Sequence, residues 1–384
     1  MPNDERSWAA VIKRVLQNTL LVGLGCVLSL VMIEIVLRVF NPFDFRIKGD
    51  EILLPANMSY NIANPGVDKL DERILHSKNS LGFRGAEPPA ELTSSLSIIT
   101  VGGSTTESFY LSDGDPWPAV LGRGLADNFD GLWMNNAGFD GHSSFGHIVL
   151  FKDYLAHLRP KVVIFLVGAN DMASEGLNFF DKKVMRDPTS LRGFGNWLAG
   201  YSETVALGLN LIRYAMTWWI GVAHLQTDLA HTPRIKTKDA HWLRLREEHL
   251  ATHIPRFKKR LQTLVDLARR HRVMPVFLTQ PALYGSGVDP TSGIALDDLK
   301  VSDLDGRTQW RLLELYNDAT RSFGGHDEVF VIDLATQMAK DSKYYYDFLH
   351  HTKAGAAELA RIVDAALCPV LAAKFVAHLK ASCP

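Results

Sequence analysis

SIITVGGSTTE, residues 97–107, is the stretch on which the fold turns. Its first half is a near-continuous run of apolar and β-branched residues, the composition of a strand buried on both faces. It breaks at Gly102 and Gly103 into a polar segment that opens with Ser104. Four more runs of this kind follow: LWMNNAG at 132–138, VVIFLVG at 162–168, VMPVFLTQ at 273–280 and VFVIDL at 329–334. Between them lie helix-like segments at 117–127, 145–157, 254–271, 308–322 and 352–367. This alternation predicts an α/β sandwich built on a parallel, doubly wound sheet. If the strands are parallel neighbours, Ser104, Gly138 and Asn170 arrive at one sheet edge, the edge at which open α/β sheets bind ligands.

Outside this core the chain changes character. Residues 16–36, LQNTLLVGLGCVLSLVMIEIV, would span about 31 Å as a helix, the thickness of a hydrocarbon core. Glu34 stands four residues before Arg38, so the two can pair at the headgroup level. A cleavable signal peptide is the rival reading, but the run is long for one and no A-x-A-like site follows. The expected layout is a cytoplasmic tail at 1–15, an anchor at 16–36, a stalk and β-rich lead-in at 37–96, the α/β domain at 97–367 and a helical tail at 368–384. Basic residues flank the span evenly, so orientation rests on this layout. It puts the large domain outside the cytoplasm, facing the periplasm of a bacterial inner membrane. A helix running unbroken from 368 to 383 would hold Cys368 and Cys383 about 22 Å apart, so free thiols are expected.

About 100 residues separate the third and fourth strands, so 172–250 is read as an insertion beside the active face. Its segment 209–225, with Trp218 and Trp219, suits a lid, a membrane-interface element or a helix packed on its own domain. Net charge is -1, which excludes the basic balance of a nucleic-acid binder. That total conceals 12 Lys/Arg against four Asp/Glu at 231–272, and five against 11 at 281–341. The basic block suits an anionic partner or a solvated helical face.

The chemistry-bearing residues sit at strand ends and near the C-terminus. There is no GxxxxGK, so GGST is not a phosphate loop, and Thr106 replaces the last glycine of a G-x-S-x-G elbow. In YYYDFLHH, Asp347 precedes His350 by three residues and His351 by four, and at either spacing on a helical turn a carboxylate lies about 5–6 Å from an imidazole. Ser104 as nucleophile, a histidine as base and Asp347 orienting it would make an acyl-transfer triad. The Ser104 and Gly138 N–H groups with the Asn170 side-chain amide would form an oxyanion hole. Asp171 is read as a brace for the Asn170 loop, and Glu107 as a first-turn helix residue. His249 and His253 have Leu250 where a zincin needs glutamate, so no metal site is expected. His142 and His147 flank the Gly138 loop as loop residues or cleft liners.

In this order the blocks resemble the SGNH (GDSL-like) hydrolase family over roughly residues 97–367. Gly103-Ser104 matches the first block, Asn136-Ala137-Gly138 the second, Gly168-Ala169-Asn170-Asp171 the third and Asp347-Phe348-Leu349-His350 the fourth. The resemblance selects His350 over His351. It implies a flavodoxin-like sheet of about five parallel strands and a cofactor-free serine esterase. One departure is Gly103, where many members carry Asp. The expected substrate is an O-acyl group on an envelope glycan or lipid. An O-acyltransferase using the same triad on a sugar hydroxyl, and a non-catalytic glycan-binding protein, are the alternatives.

Overall fold

The computed structural model describes residues 3–42, 47–48, 51–64, 66–172, 191–220, 226–326 and 328–383. The chain divides into two compact units, Met1–Leu53 with Met185–Gly221, and Leu54–Val184 with Val222–Pro384.

The larger unit opens with an antiparallel hairpin of β1 (Ser59–Ala63) and β2 (Arg73–Ser77), followed by the two-residue strand β3 (Arg84–Gly85). Then come β4 (Leu96–Val101), β5 (Leu132–Asn136), β6 (Val162–Leu166), β7 (Met274–Leu278) and β8 (Phe330–Ile332). All five sequence-predicted strands are present. Their order across the sheet is β8-β7-β6-β4-β5-β3, parallel throughout except for β3, which pairs antiparallel with β5 on the outer edge. Register is set by pairs such as Ile98↔Val162, Val162↔Met274 and Phe330↔Val276. This is the doubly wound sheet expected from the alternation of runs.

Strand pleating assigns successive side chains to opposite faces. Ile98, Ile164 and Val276 join one apolar cluster with Leu121, Leu359 and Val363. Ile99, Val163 and Phe277 join another with Phe257, Leu261 and Val265. Both faces are therefore dry, which explains why the strand sequences show continuous apolar runs instead of alternation. Of the covering helices, α2 (Trp117–Ala126) and α9 (Lys353–Lys374) lie on the first face, and α3 (Ser144–Leu150) and α7 (Ile254–Arg270) on the second. A π turn at Phe151–Leu155 carries α3 onward, while α6 (Asp239–Glu248) and α8 (Gly306–Arg321) complete the unit.

The smaller unit holds α1 (Asn3–Val39), α4 (Leu191–Tyr201) and α5 (Glu203–Ile220), with α5 packed on α1. Within α1, Ile12–Val39 is long and apolar enough to cross a membrane, a build that a signal sequence shares. The 172–250 insertion is thus divided, 191–220 going with α1 and 226–250 with the sheet. Of the segment 209–225, residues 221–225 and the side chains of Trp218 and Trp219 lie outside the described residues.

The cysteines correct the sequence reading. Cys368 and Cys383 are joined in a disulfide with Cα atoms 5.8 Å apart, so they are not free thiols. The tail is not one helix, because α9 stops at Lys374 and the chain turns back. Leu379 bridges to Phe129, the Lys380 N–H donates to the Asn128 carbonyl, and the Asn128 side-chain amide donates to the Ser382 carbonyl. Contacts with a segment 250 residues earlier override local helix propensity. The bridge closes a short loop, and Cys383→Ser should cost about 3 kcal/mol. Thermal unfolding of the two proteins, without and with reductant, measures this: the variant should melt lower only when reductant is absent.

Candidate active site

Ser104 follows β4 as the first residue of the one-turn helix Ser104–Glu107. Gly103 before it is fixed by crowding, since a Cβ there would collide with Asn170 Nδ2 and come 3.1 Å from the His142 carbonyl. Asn170 and Asp171 leave β6 through Gly168, whose φ of 119° lies in the region that favours glycine.

Asp347 and His350 are held on a loop, not on the helical turn that their spacing suggested. One carboxylate oxygen of Asp347 accepts the N–H groups of Leu349 and His350, both at 2.7 Å. The other lies 2.6 Å from His350 Nδ1, and His350 Nε2 lies 2.7 Å from Ser104 Oγ. A carboxylate only accepts, so Nδ1 carries the proton and Nε2 is left to accept from the Ser104 hydroxyl. Tyr346 stacks on the His350 ring at 5.7 Å. Burial works to raise the Asp347 carboxyl, but the electrostatic attraction of the neighbouring His350 and the hydrogen bonds from His350 and Leu349 outweigh it and hold the group below the usual carboxylate range.

Such a relay from carboxylate to imidazole to hydroxyl can activate an alcohol for attack on an acyl carbon. The sequence profile of the GDSL-like lipase/acylhydrolase family matches residues 100–358, which include every one of these groups. The chain belongs to that family. It is accordingly an ester-bond hydrolase.

Among solved structures similar to this hydrolase are TesA (15% identity, 71% of this chain and 99% of that chain, TM-score 0.39) and a GDSL-like lipase from Bacteroides thetaiotaomicron (10%, 75% and 93%, 0.38). A third is the esterase EstA from Pseudoalteromonas sp. (13%, 72% and 98%, 0.40). No curated protein matches the chain.

In the hydrolase, Ser104, Asn170, Asp347 and His350 come together, while Gly138 is differently placed. Its backbone sits against Thr106 and Glu107, and its N–H donates to Asn136 Oδ1 at 2.8 Å. The Asn136 amide in turn donates to the Thr106 carbonyl at 2.7 Å. Asn170 Nδ2 donates to the His142 carbonyl at 2.9 Å. His351 lies apart from the relay. It is buried against Tyr345, its ring nitrogens have no hydrogen-bond partner among the described residues, and burial pushes it down to about 3.

Asp171 is a brace. It accepts from the Ser144 hydroxyl at 2.5 Å and from Arg260 at 3.0 Å, tying the Asn170 turn to the start of α3 and the middle of α7. Glu107 is more than a first-turn helix residue: it forms a buried ion pair with Lys78 at 3.3 Å and accepts the Asp140 N–H at 2.5 Å. Arg84 donates to the carbonyls of Glu107, Ser108 and Leu111 and pairs with Asp113. The lead-in therefore supports the active-site turn, a role that motif spacing did not reveal because these partners are 23 to 33 residues apart. His142 and His147 border the small cavity beside Ser104. His249 lies 3.0 Å from the Tyr316 hydroxyl and packs against His253.

Two predictions follow from the burial of these groups. Asp171→Asn leaves the Arg260 cation without its partner and should cost about 3–5 kcal/mol, whereas adding Arg260→Leu should recover much of the loss; denaturant unfolding of the single and double variants measures both. Burial pushes His76, His147, His249 and His351 down to about 3, 4, 4 and 3. Each is neutral in the native state and takes up a proton on unfolding once the pH drops below the ordinary histidine value of about 6.5. Their contribution is full above that value and is lost as pH falls toward the native values. Unfolding free energy measured between pH 7 and 5 should therefore fall with acidification, and a flat or rising profile would contradict this assignment.

Proposed function

We propose that the protein is a membrane-anchored serine esterase with Ser104 as nucleophile, His350 as base and Asp347 as the orienting carboxylate. The observation that carries this reading is the continuous series of contacts from Asp347 through His350 to Ser104, 2.6 and 2.7 Å long. Ser104 Oγ attacks the acyl carbon as its proton passes to His350 Nε2. The carbonyl oxygen of the ester becomes an oxyanion facing the Ser104 N–H and the Asn170 side-chain amide. Collapse expels the alcohol, which takes the proton from His350. Water then hydrolyses the acyl-enzyme, with His350 again acting as base.

A cavity of about 20 Å³ opens beside Ser104, bordered by Gly103, Asn170, Gln280 and Leu349. It has room for about one water-sized group, which favours an acetyl over a longer acyl chain. The substrate proposed is an O-acetyl ester of an envelope glycan or lipid. The disulfide favours an oxidising compartment, and with α1 as anchor this supports an inner-membrane protein whose catalytic domain faces the periplasm.

Ser104→Ala and His350→Ala should each abolish hydrolysis and fluorophosphonate labelling, and the double variant should be little worse than either. His351→Gln should keep most of the activity. If His351→Gln proved inactive and His350→Ala active, the triad would be misassigned. Asn170→Ala should lower kcat by ~10²–10³, whereas an effect confined to KM would assign it to substrate positioning. Acetyl esters should exceed octanoyl esters in kcat/KM by ~10-fold or more.

A further inference from the structure

The carboxylate of Glu34 does more than pair with Arg38. Its oxygens accept from the Ser202 hydroxyl at 2.8 Å, the Glu203 N–H at 3.1 Å, the Thr204 N–H at 3.0 Å and the Thr204 hydroxyl at 2.9 Å. These are the groups at the start of α5, so a side chain of α1 caps the N-terminus of a helix about 170 residues away. Arg38, paired with Glu34 at 2.8 Å, donates to the Tyr201 carbonyl, and Lys48 pairs with Glu203. The α4–α5 corner is thereby fixed to one end of the apolar helix.

That end has a depth. If residues 16–36 span the hydrocarbon, Glu34 lies about 3 Å inside its boundary, and residues 201–204 are held at the same level. The helix leading into this corner presents three large aromatic side chains to the outside. Phe194, Trp197 and Tyr201 are 55%, 50% and 67% exposed. They follow one another along a single face, with ring centroids 5.8 and 5.3 Å apart. The other side of α4 is packed, Ala199 being buried. Tryptophan and tyrosine are the residues that settle where acyl chains meet headgroups, because their rings are apolar and their N–H and O–H groups bond to water and lipid oxygens.

We propose that α4 is a second membrane-contacting element, lying at the lipid interface through Phe194, Trp197 and Tyr201 and held there by the Glu34 cap on α5. This rests on the reading of α1 as a membrane anchor. The partner is the phospholipid boundary itself. An exposed aromatic face would otherwise stand in water at the level where the anchor leaves the bilayer.

The test uses the full chain with Cys26→Ser, in vesicles of phosphatidylethanolamine and phosphatidylglycerol, carrying one nitroxide at a time on Leu24→Cys, Trp197→Cys or Lys258→Cys. Collisions with oxygen and with a water-soluble nickel chelate report depth. Leu24 marks the hydrocarbon and Lys258 marks water. The proposal expects Trp197 to be shielded from nickel relative to Lys258 and to lie shallower than Leu24. A Trp197 label as accessible to nickel as Lys258, with Leu24 still shielded, overturns the proposal and leaves the anchor standing. A Leu24 label accessible to nickel overturns the anchor reading, and the proposal with it. Glu34→Ala in the Trp197-labelled chain should loosen the label and raise its nickel accessibility, and an unchanged spectrum overturns the role given to the cap.

Discussion

Five parallel strands that are dry on both faces can offer polar chemistry only where they end. The side chains of β4, β6 and β7 are buried along their lengths, so the first positions able to carry function are those just past the last strand residues. Ser104 lies three residues beyond Val101, and Asn170 lies four beyond Leu166. The sheet thus determines which residues meet, and the turns determine how closely. Everything at the site depends on those turns being held, because a shift of a fraction of an ångström would lengthen the 2.7 Å contact between Ser104 and His350.

The holding is done by buried charge. Arg260 with Asp171 fixes one turn, and Lys78 with Glu107 fixes another. Arg84 satisfies three carbonyls of the segment after Ser104. Buried ions are costly to desolvate and become favourable only when their hydrogen bonds are nearly all met. Here the donors and acceptors come from both sides of the site, so the same contacts that satisfy the charges also position the loops.

How much of this the sequence discloses depends on the distance over which each feature is decided. The strands are legible because burial on both faces leaves a continuous apolar run in the local sequence, as in VVIFLVG at 162–168. The residues of the relay are legible because each follows a strand or occupies a short, recognisable spacing. What was missed or misread is non-local. The tail after Lys374 turns back because Asn128 and Phe129 offer it partners, and no local pattern in 368–383 announces that. Glu34 reads as one half of an i,i+4 pair, and so it is, but its other partners lie on a segment far along the chain. Spacing alone leaves both His350 and His351 open to Asp347, and the helical turn it suggested is a loop closed by the Asp347 carboxylate, which brings His350 to it.

The crowding around Gly103 bears on how this active site can change over evolutionary time. A side chain there would displace the Asn170 amide from the space it occupies. Yet Asn170 cannot move aside alone, since it is anchored to the His142 carbonyl and its neighbour Asp171 to Arg260. The two positions are coupled: a side chain at residue 103 needs the Asn170 amide to shift, and that shift strains its bond to the His142 carbonyl. A larger residue at 103 is therefore best accommodated together with a change in the 168–171 turn.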